Sequence, residues 1–405
     1  MAVCPDWIRA AHASAAKTVD DSAIPTDYRW RMTTICIDCR YIGPRPSGIG
    51  EVVQALVDFV PGLAPDLRFL LLRNPAADRL SLADNVRETI VPQAANGPAT
   101  LWWLSHCVDL SGVDLFHAPF NIMPAGLAMP CVTTVHDIMW LSNPDYCGSG
   151  MLAPIERAFY AHGIGRALRR SAAITTVSEA SRDAIAAWSP DAADRIVVTR
   201  SGVSPAFRPV DSDPGMLVSL GLPPGRRFVL TVGQFAPYKN HEGALRGFAA
   251  AFRDRGDVDL IFVQRMGRDT ARLLRLARKL GLGGRIHLLR SVGRDDLVHL
   301  YSGALALLHP SLCEGFGNPL AEAMACGCPV VTSNLSAMPE TTGGAASLVD
   351  PRDPLEIAAA LRRIADHPEH ARAMRERGLA RAATLDWRDF AAANLEVYRK
   401  TLASA

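Results

Sequence analysis

From Thr33 onward, short apolar runs alternate with amphipathic stretches, and the alternation breaks once, in the Pro-, Ser- and Asp-rich segment "SPAFRPVDSDPG", before starting again. Before the break, "TICIDCR", "RFLLL", "ETIVP", "DLFHAP", "CVTTVHD", "AAITTVS" and "RIVVTRSGV" read as strands, with helices such as "GIGEVVQALVDFV" and "SEASRDAIAAWS" between several of them. After it come the strands "FVLTVG", "DLIFVQ", "RIHLL", "LALLHPS" and "PVVTS", again separated by helical stretches. Strands that alternate with helices build parallel sheets covered on both faces. The sequence therefore predicts an α/β chain of two doubly wound domains facing a central cleft. We place the first over residues 32–205, the second over 206–385, and a C-terminal helix within 386–405 that crosses back onto the first domain. Open α/β sheets bind ligands beyond the carboxyl ends of their strands, so the cleft is where chemistry is expected.

Residues 1–31 carry no such pattern, and read either as a disordered extension or as an upstream start, with Met32 the true first residue. Hydrophobic residues make up 49% of the chain and charged residues 21%, enough apolar material for two cores. A net charge of +2 without a basic stripe gives no reason to expect nucleic acid as a partner. No apolar run reaches roughly 18 residues, and no signal-peptide segment opens the chain. Nine cysteines, an odd number without metal spacing, fit a reduced, cytoplasmic protein. Cys36 and Cys39 form a C-x-x-C, but in a strand such positions point to opposite faces, which argues for packing over redox or zinc chemistry.

The stretch "HPSLCEGFGNPLAEAMACGCPVV" concentrates the chemistry. Glu314 follows the end of a buried strand, Gly315 and Gly317 flank Phe316 in a tight turn, and Asn318 and Pro319 open a helix that carries Glu322. Glycines let a backbone approach a ligand closely, and the free N–H groups of a helix N-terminus favour phosphate. Carboxylates accept paired hydrogen bonds from vicinal hydroxyls. A diphosphate held between two hydroxylated rings, as in a nucleotide sugar, satisfies all three elements.

"EGFGNPLAE", with "AMACGCPVVTSNLSAMPE" and "GGAASLVDP" behind it, resembles the E-x7-E segment of retaining glycosyltransferases of family 4, whose two Rossmann-like domains form the GT-B arrangement. The likeness runs from about Thr33 to the end of the chain. It implies that Glu314 meets the donor sugar near the reacting carbon and that Glu322 binds the ribose hydroxyls. "TVGQFAPYKN" resembles the family's Pro-Arg-Lys-Asn element: Gly233 ends a strand, and Lys239 is placed beside the donor diphosphate, neutralising the leaving group. Tyr238 stands where arginine is common, and Gln234 where some members carry another, so Arg265 in "FVQRMGR" is the candidate to supply the missing charge.

In the first domain, "PSGIGEVVQAL" is a glycine-rich turn opening a helix, with Gly48 and Gly50. Position 53 is Val, so it is not the G-x-G-x-x-G of dinucleotide enzymes; in similar transferases this loop lies against the donor. His117 and His136 each end a strand, and "HD" at His136 and Asp137 matches the family position whose histidine approaches the transferred sugar. Asp137 and His117 are taken as acceptor-side candidates. Ser178, with Glu179 and Ser181 after it, reads mainly as a helix N-cap.

The resemblance implies transfer with retention through an oxocarbenium-like transition state, the departing diphosphate taking the acceptor's proton. No Asp-x-Asp stands at a strand end, and "RDD" at 294–296 reads as a helix cap, so no metal or other cofactor is expected, Lys239 and the helix N-terminus serving instead. The branch it most resembles comprises bacterial mannosyltransferases of O-antigen and exopolysaccharide synthesis, which implies GDP-mannose as donor and a polyprenyl-diphosphate-linked or oligosaccharide acceptor. A UDP-sugar donor and a non-catalytic nucleotide-sugar-binding protein are the alternatives. "IERAFYAHGIGRALRRSA", residues 155–172, mixes apolar residues with four arginines and is a candidate for peripheral contact with the inner membrane face.

Overall fold

The computed structural model describes residues 32–43, 47–147, 151–211, 213–263, 270–290 and 292–405. The expectation for residues 1–31 and the assignment of Arg265 both lie outside these described residues.

The first sheet contains β1 (Thr34–Asp38), β2 (Arg68–Arg73), β3 (Val86–Ile90), β4 (Leu115–Ala118), β5 (Cys131–Thr134), β6 (Ala173–Thr176) and β7 (Ile196–Val198). The second contains β8 (Arg227–Val232), β9 (Val258–Val263), β10 (Ile286–Leu289), β11 (Ala306–His309), β12 (Val330–Ser333) and β13 (Ser347–Val349). Their orders are β3-β2-β1-β4-β5-β6-β7 and β10-β9-β8-β11-β12-β13, with neighbouring strands parallel. Both are doubly wound, and each reverses its winding beside its first strand. Those two reversal points, β1/β4 and β8/β11, are where ligands of such sheets bind.

Burial on both faces explains why the strands read as near-continuous apolar runs. In β9, "VDLIFV", all six residues are buried. Its one charge, Asp259, is held by the Arg226 guanidinium at 2.5 and 2.8 Å and by His287 at 2.9 Å. A buried carboxylate without such partners would be strongly destabilising. Cys36 packs with Phe116 and Ile174 on one face of the first sheet, whereas Cys39 packs with Leu56 and Phe390 on the other, as their spacing predicted.

The helix after β1 spans Gly48–Leu63 and carries Pro61 in its last turn, past the end expected from the apolar pattern. The C-terminal helix, Trp387–Ala403, does cross back. Its Trp387, Phe390, Leu395 and Tyr398 complete the apolar core formed by Ile35, Ile37, Val53, Leu56 and Leu115 of the first domain. This packing corrects the placement of His117 at the cleft. Its ring is fully buried, Nδ1 sharing a hydrogen bond with the Tyr398 hydroxyl at 2.6 Å and Nε2 with Thr134 Oγ1 at 2.8 Å. Burial and the neighbouring His136 push its pKa down to about 3, so it is a neutral packing residue.

The chain passes between the domains twice, at adjacent places: the Val203 N–H donates to the Leu385 carbonyl at 3.0 Å. A Cβ on Gly202 would stand 2.3 Å from the Trp387 nitrogen and 2.7 Å from the Asp386 carbonyl carbon. Backbone cannot retreat as a side chain can, so Gly202→Ala is expected to lower stability by roughly 1–3 kcal/mol, measured as a fall in the thermal midpoint. An unchanged midpoint would show that the double crossing tolerates separation.

Candidate functional site

At the second reversal point, β8 ends at Val232 and β11 at His309, and the side chains beyond those ends converge. Lys239 Nζ donates to Glu314 Oε1 at 2.7 Å, and the ring nitrogen Nε2 of His309 lies 3.0 Å from the same oxygen. All three groups are buried or nearly so: Lys239 and Glu314 keep about a tenth of their side chains exposed and His309 less. Burial alone would raise the Glu314 pKa, but Lys239 and His309 outweigh it and hold the carboxyl at about 2. Burial pulls the Lys239 ammonium the other way, and Glu314 more than restores it, leaving its pKa raised. The pair is therefore fully ionised at neutral pH.

Local backbone makes this geometry possible. The short turn Pro237–Lys239 ends on Asn240 in the left-handed region, φ 51°. The Asn240 side chain accepts from the Gly243 N–H and caps the helix His241–Phe252, while its Nδ2 donates to the carbonyls of Pro310 and Pro351. Lys239 is thus tied to the β11 loop through its neighbour. Gly233, φ 148°, gives it room: a Cβ there would lie 3.3 Å from Lys239 Cε. On the other side, Ser336 donates to the Glu314 carbonyl at 2.7 Å and accepts from its N–H at 3.3 Å.

Glu314 leads into Gly315, buried Phe316 and Gly317 (φ 92°), then the helix Asn318–Ala325, whose N-terminus has no side-chain cap. The uncapped end leaves free N–H donors and partial positive charge just past Glu314. Glu322, half-buried on that helix, accepts from the Tyr301 hydroxyl at 2.8 Å. Burial raises its pKa to about 7, partly opposed by Tyr301 and raised further by Glu51. Glu51 lies across the cleft and is paired with Arg294 at 2.7 Å. Glu51, Ser204, Phe207, Asn318, Glu322 and Trp387 line one small cleft between the domains.

The first domain closes over this site. Gly48 faces Asn318 Nδ2, 3.5 Å from where its Cβ would be. Gly50 instead lies inside the turn, its N–H donating to Ser47 Oγ at 3.0 Å, which makes it part of the helix cap. The end of β1 is anchored by the buried pair Asp38–Arg40, whose guanidinium also reaches the Gln93 carbonyl and Thr100. His136 places Nε2 at 2.9 Å from the Pro119 carbonyl; burial lowers its pKa, so the ring is neutral and Nδ1 is left as an acceptor. Asp137 accepts from the Met139 N–H at 2.9 Å, and burial raises its pKa, reinforced by nearby Glu314.

Most expected residues are therefore brought together: Lys239, Gly233, Glu314, Gly315, Phe316, Gly317, Asn318 and Glu322 from one domain, Gly48, His136 and Asp137 from the other. His117 is not. Sequence reading missed His309 and Ser336. A histidine ending an apolar strand was as visible for His309 as for His136, whereas nothing in "SNLSAMPE" announces the positive φ of 54° at Ser336.

A family model described as "Glycosyl transferases group 1" matches residues 216–381. The O-antigen chain mannosyltransferase B of Escherichia coli is 30% identical over 287 residues, 70% of this chain and 74% of that protein. The serotype-specific mannosyltransferase WbdA of Escherichia coli is 27% identical over 283 residues, 68% of this chain but 34% of the longer relative. Among solved structures, a sucrose-phosphate synthase from Thermosynechococcus elongatus superposes with a TM-score of 0.69 at 21% identity, covering 92% of this chain and 100% of that one. At that identity the likeness establishes the fold.

The two glutamates should titrate with opposite effects on stability. Glu322 holds its proton more tightly when folded, so its contribution is present below about pH 4.5 and is lost as pH rises through about 7. Glu314 is the reverse, contributing above about 4.5 and losing that as pH falls toward about 2. Glu322→Gln should gain thermal stability relative to the unaltered chain between about pH 5 and about pH 8. Parallel midpoint–pH curves for the two proteins would remove the raised pKa.

Proposed function

The chain belongs to the group 1 glycosyl transferases, and on that premise we propose that it moves mannose, with retention and without a metal ion, from GDP-mannose onto a lipid-linked or oligosaccharide acceptor in surface-polysaccharide synthesis. The observation that carries the reading is the ionised Lys239–Glu314 pair beside an uncapped helix N-terminus. An anionic Glu314 cannot serve as a general acid. It can accept a sugar hydroxyl and stabilise positive charge growing at the anomeric carbon. Lys239 and the N-terminus of Asn318–Ala325 oppose the charge that collects on the departing diphosphate. That diphosphate then takes the acceptor's proton, the bond to it breaking on the side from which the new one forms. Glu322 accepts from the ribose hydroxyls, and Arg265 is proposed as a further cation at the phosphates. Among the described residues, no group of three His, Cys, Asp or Glu side chains is placed to hold a metal ion.

The mannosyltransferases it resembles support mannose as the transferred sugar. The acceptor side would be His136 with Asp137, on the first domain. A lipid-linked acceptor also suits the outer surface there. Helix Ala153–Arg170 exposes Ile155, one turn from Phe159, whose ring meets Trp102, and Trp102 and Trp103 are both exposed. Arg169 and Arg170 are exposed at the same helix's end, so this face would meet anionic lipid. No helix among the described residues is long and apolar enough to cross a membrane.

Calorimetric titration without metal against GDP, GDP-mannose, UDP and UDP-glucose should give selective guanosine binding. Selective uridine binding would discard mannose, and no nucleotide binding would overturn the reading. Lys239→Ala should lose about 1.5–3 kcal/mol of donor affinity, roughly tenfold to over a hundredfold. Glu314→Gln should lower turnover far more than affinity; equal losses in both would count against its role.

A further inference from the structure

Two segments of the second domain, the loop after Glu314 and the stretch that carries Glu340, are joined to one helix N-terminus of the first domain. Ser178 caps the helix Glu179–Trp188 by accepting from the Ser181 N–H at 3.1 Å, and its hydroxyl donates across the cleft to the Gly315 carbonyl at 2.7 Å. Ser181 Oγ lies 2.9 Å from the His136 carbonyl and 3.3 Å from the Gly315 carbonyl, so one hydroxyl touches the backbone of a site residue from each domain. Glu340, at the end of the segment that holds Ser336, sends its carboxylate into the same helix N-terminus, accepting from the N–H groups of Glu179 at 3.0 Å and Ala180 at 3.1 Å. Arg200 braces it from the first domain at 3.4 Å and pairs with Glu179 at 2.9 Å.

A helix N-terminus holds free N–H donors and partial positive charge. Here the carboxylate that satisfies it comes from the opposite domain. Gly315 is glycine for the same reason: a Cβ would lie 2.4 Å from the His136 carbonyl oxygen. In the structure the backbone of the Glu314–Gly315 loop meets the backbone of His136 while Glu340 holds the helix N-terminus.

We propose that Ser178, Ser181 and Glu340 are positioning residues that act as a latch: closing it aligns Glu314 with His136, so that domain closure and assembly of the reacting site are one event. The proposal rests on Glu314 being the reactive carboxylate. It assigns no chemistry to the three residues; they act through Gly315 and the helix.

The test uses the full chain with three substitutions. Gly315→Ala wedges the domains apart without touching Glu340; Glu340→Gln weakens the latch without touching Glu314 or Lys239; Ser178→Thr keeps both cap and donor. Amide exchange is read at Glu179 and Ala180, and GDP-mannose turnover and GDP affinity are read on the same samples. Gly315→Ala and Glu340→Gln should each quicken exchange at those two amides roughly two- to tenfold, while Ser178→Thr leaves it unchanged. Glu340→Gln should also lower turnover by roughly two- to tenfold with GDP affinity intact. Unchanged exchange at Glu179 and Ala180 in Gly315→Ala would overturn the latch, and so would full turnover in Glu340→Gln. If the unaltered chain does not turn over GDP-mannose, the donor assignment fails and the exchange measurement still decides the latch.

Discussion

A buried ion pair is costly to make, because both charges leave water, and it is tolerated only where geometry and further hydrogen bonds compensate. Lys239 and Glu314 meet that condition at the one place in the second sheet where two neighbouring loops diverge to opposite faces. Much around them reads as support for that contact. Asn240 accepts a strained backbone so that Lys239 points inward, Gly233 clears the path of its aliphatic chain, Ser336 grips the Glu314 peptide from both sides, and His309 supplies a second bond to the same oxygen. With the charges balanced between themselves, the pair can wait in a dry site beside an open helix end. A ligand that brings phosphate and hydroxyls can then compete for each partner.

What could be read in advance was whatever the chain writes locally. Two rounds of strand and helix, a break rich in Pro, Ser and Asp, and a strand followed by E-G-F-G-N-P are all short-range patterns, and each maps onto the structure. Contacts between distant segments were not legible. His117 and His136 close similar apolar runs in the sequence, yet His117 lies within β4 against the edge of the Tyr398 ring, far along the chain, whereas His136 lies two residues past β5, beside the cleft. Ser178 was recognisable as a cap because its partner is three residues away. Its second bond, to Gly315, spans 137 positions and left no local trace. Glu340 went unnoticed for the same reason.

The glycines make a related point. Gly317 carries a positive φ, the usual reason for the residue. Gly315 and Gly202 owe their identity to another part of the chain pressing against them, His136 in one case and Trp387 in the other. At Gly315 a side chain is excluded by the opposite domain, and at Gly202 by the returning segment Asp386–Trp387, so each approach of distant backbone is written into the sequence as a missing methyl group.

The returning C-terminal helix bears on how the chain is made. The strands of the first sheet all precede residue 200, but Phe390, Leu395 and Tyr398 belong to the apolar core beneath that sheet. On the ribosome, domains usually fold in the order in which they emerge. Here the earlier domain emerges with one wall absent and must wait, its apolar face uncovered, while the whole of the later domain is synthesised. The second domain can fold on arrival; the first can finish only when Trp387–Ala403 comes back to it. The order of completion is thus the reverse of the order of translation, and the interval between them is the period in which apolar surface of the first domain stays open to other contacts.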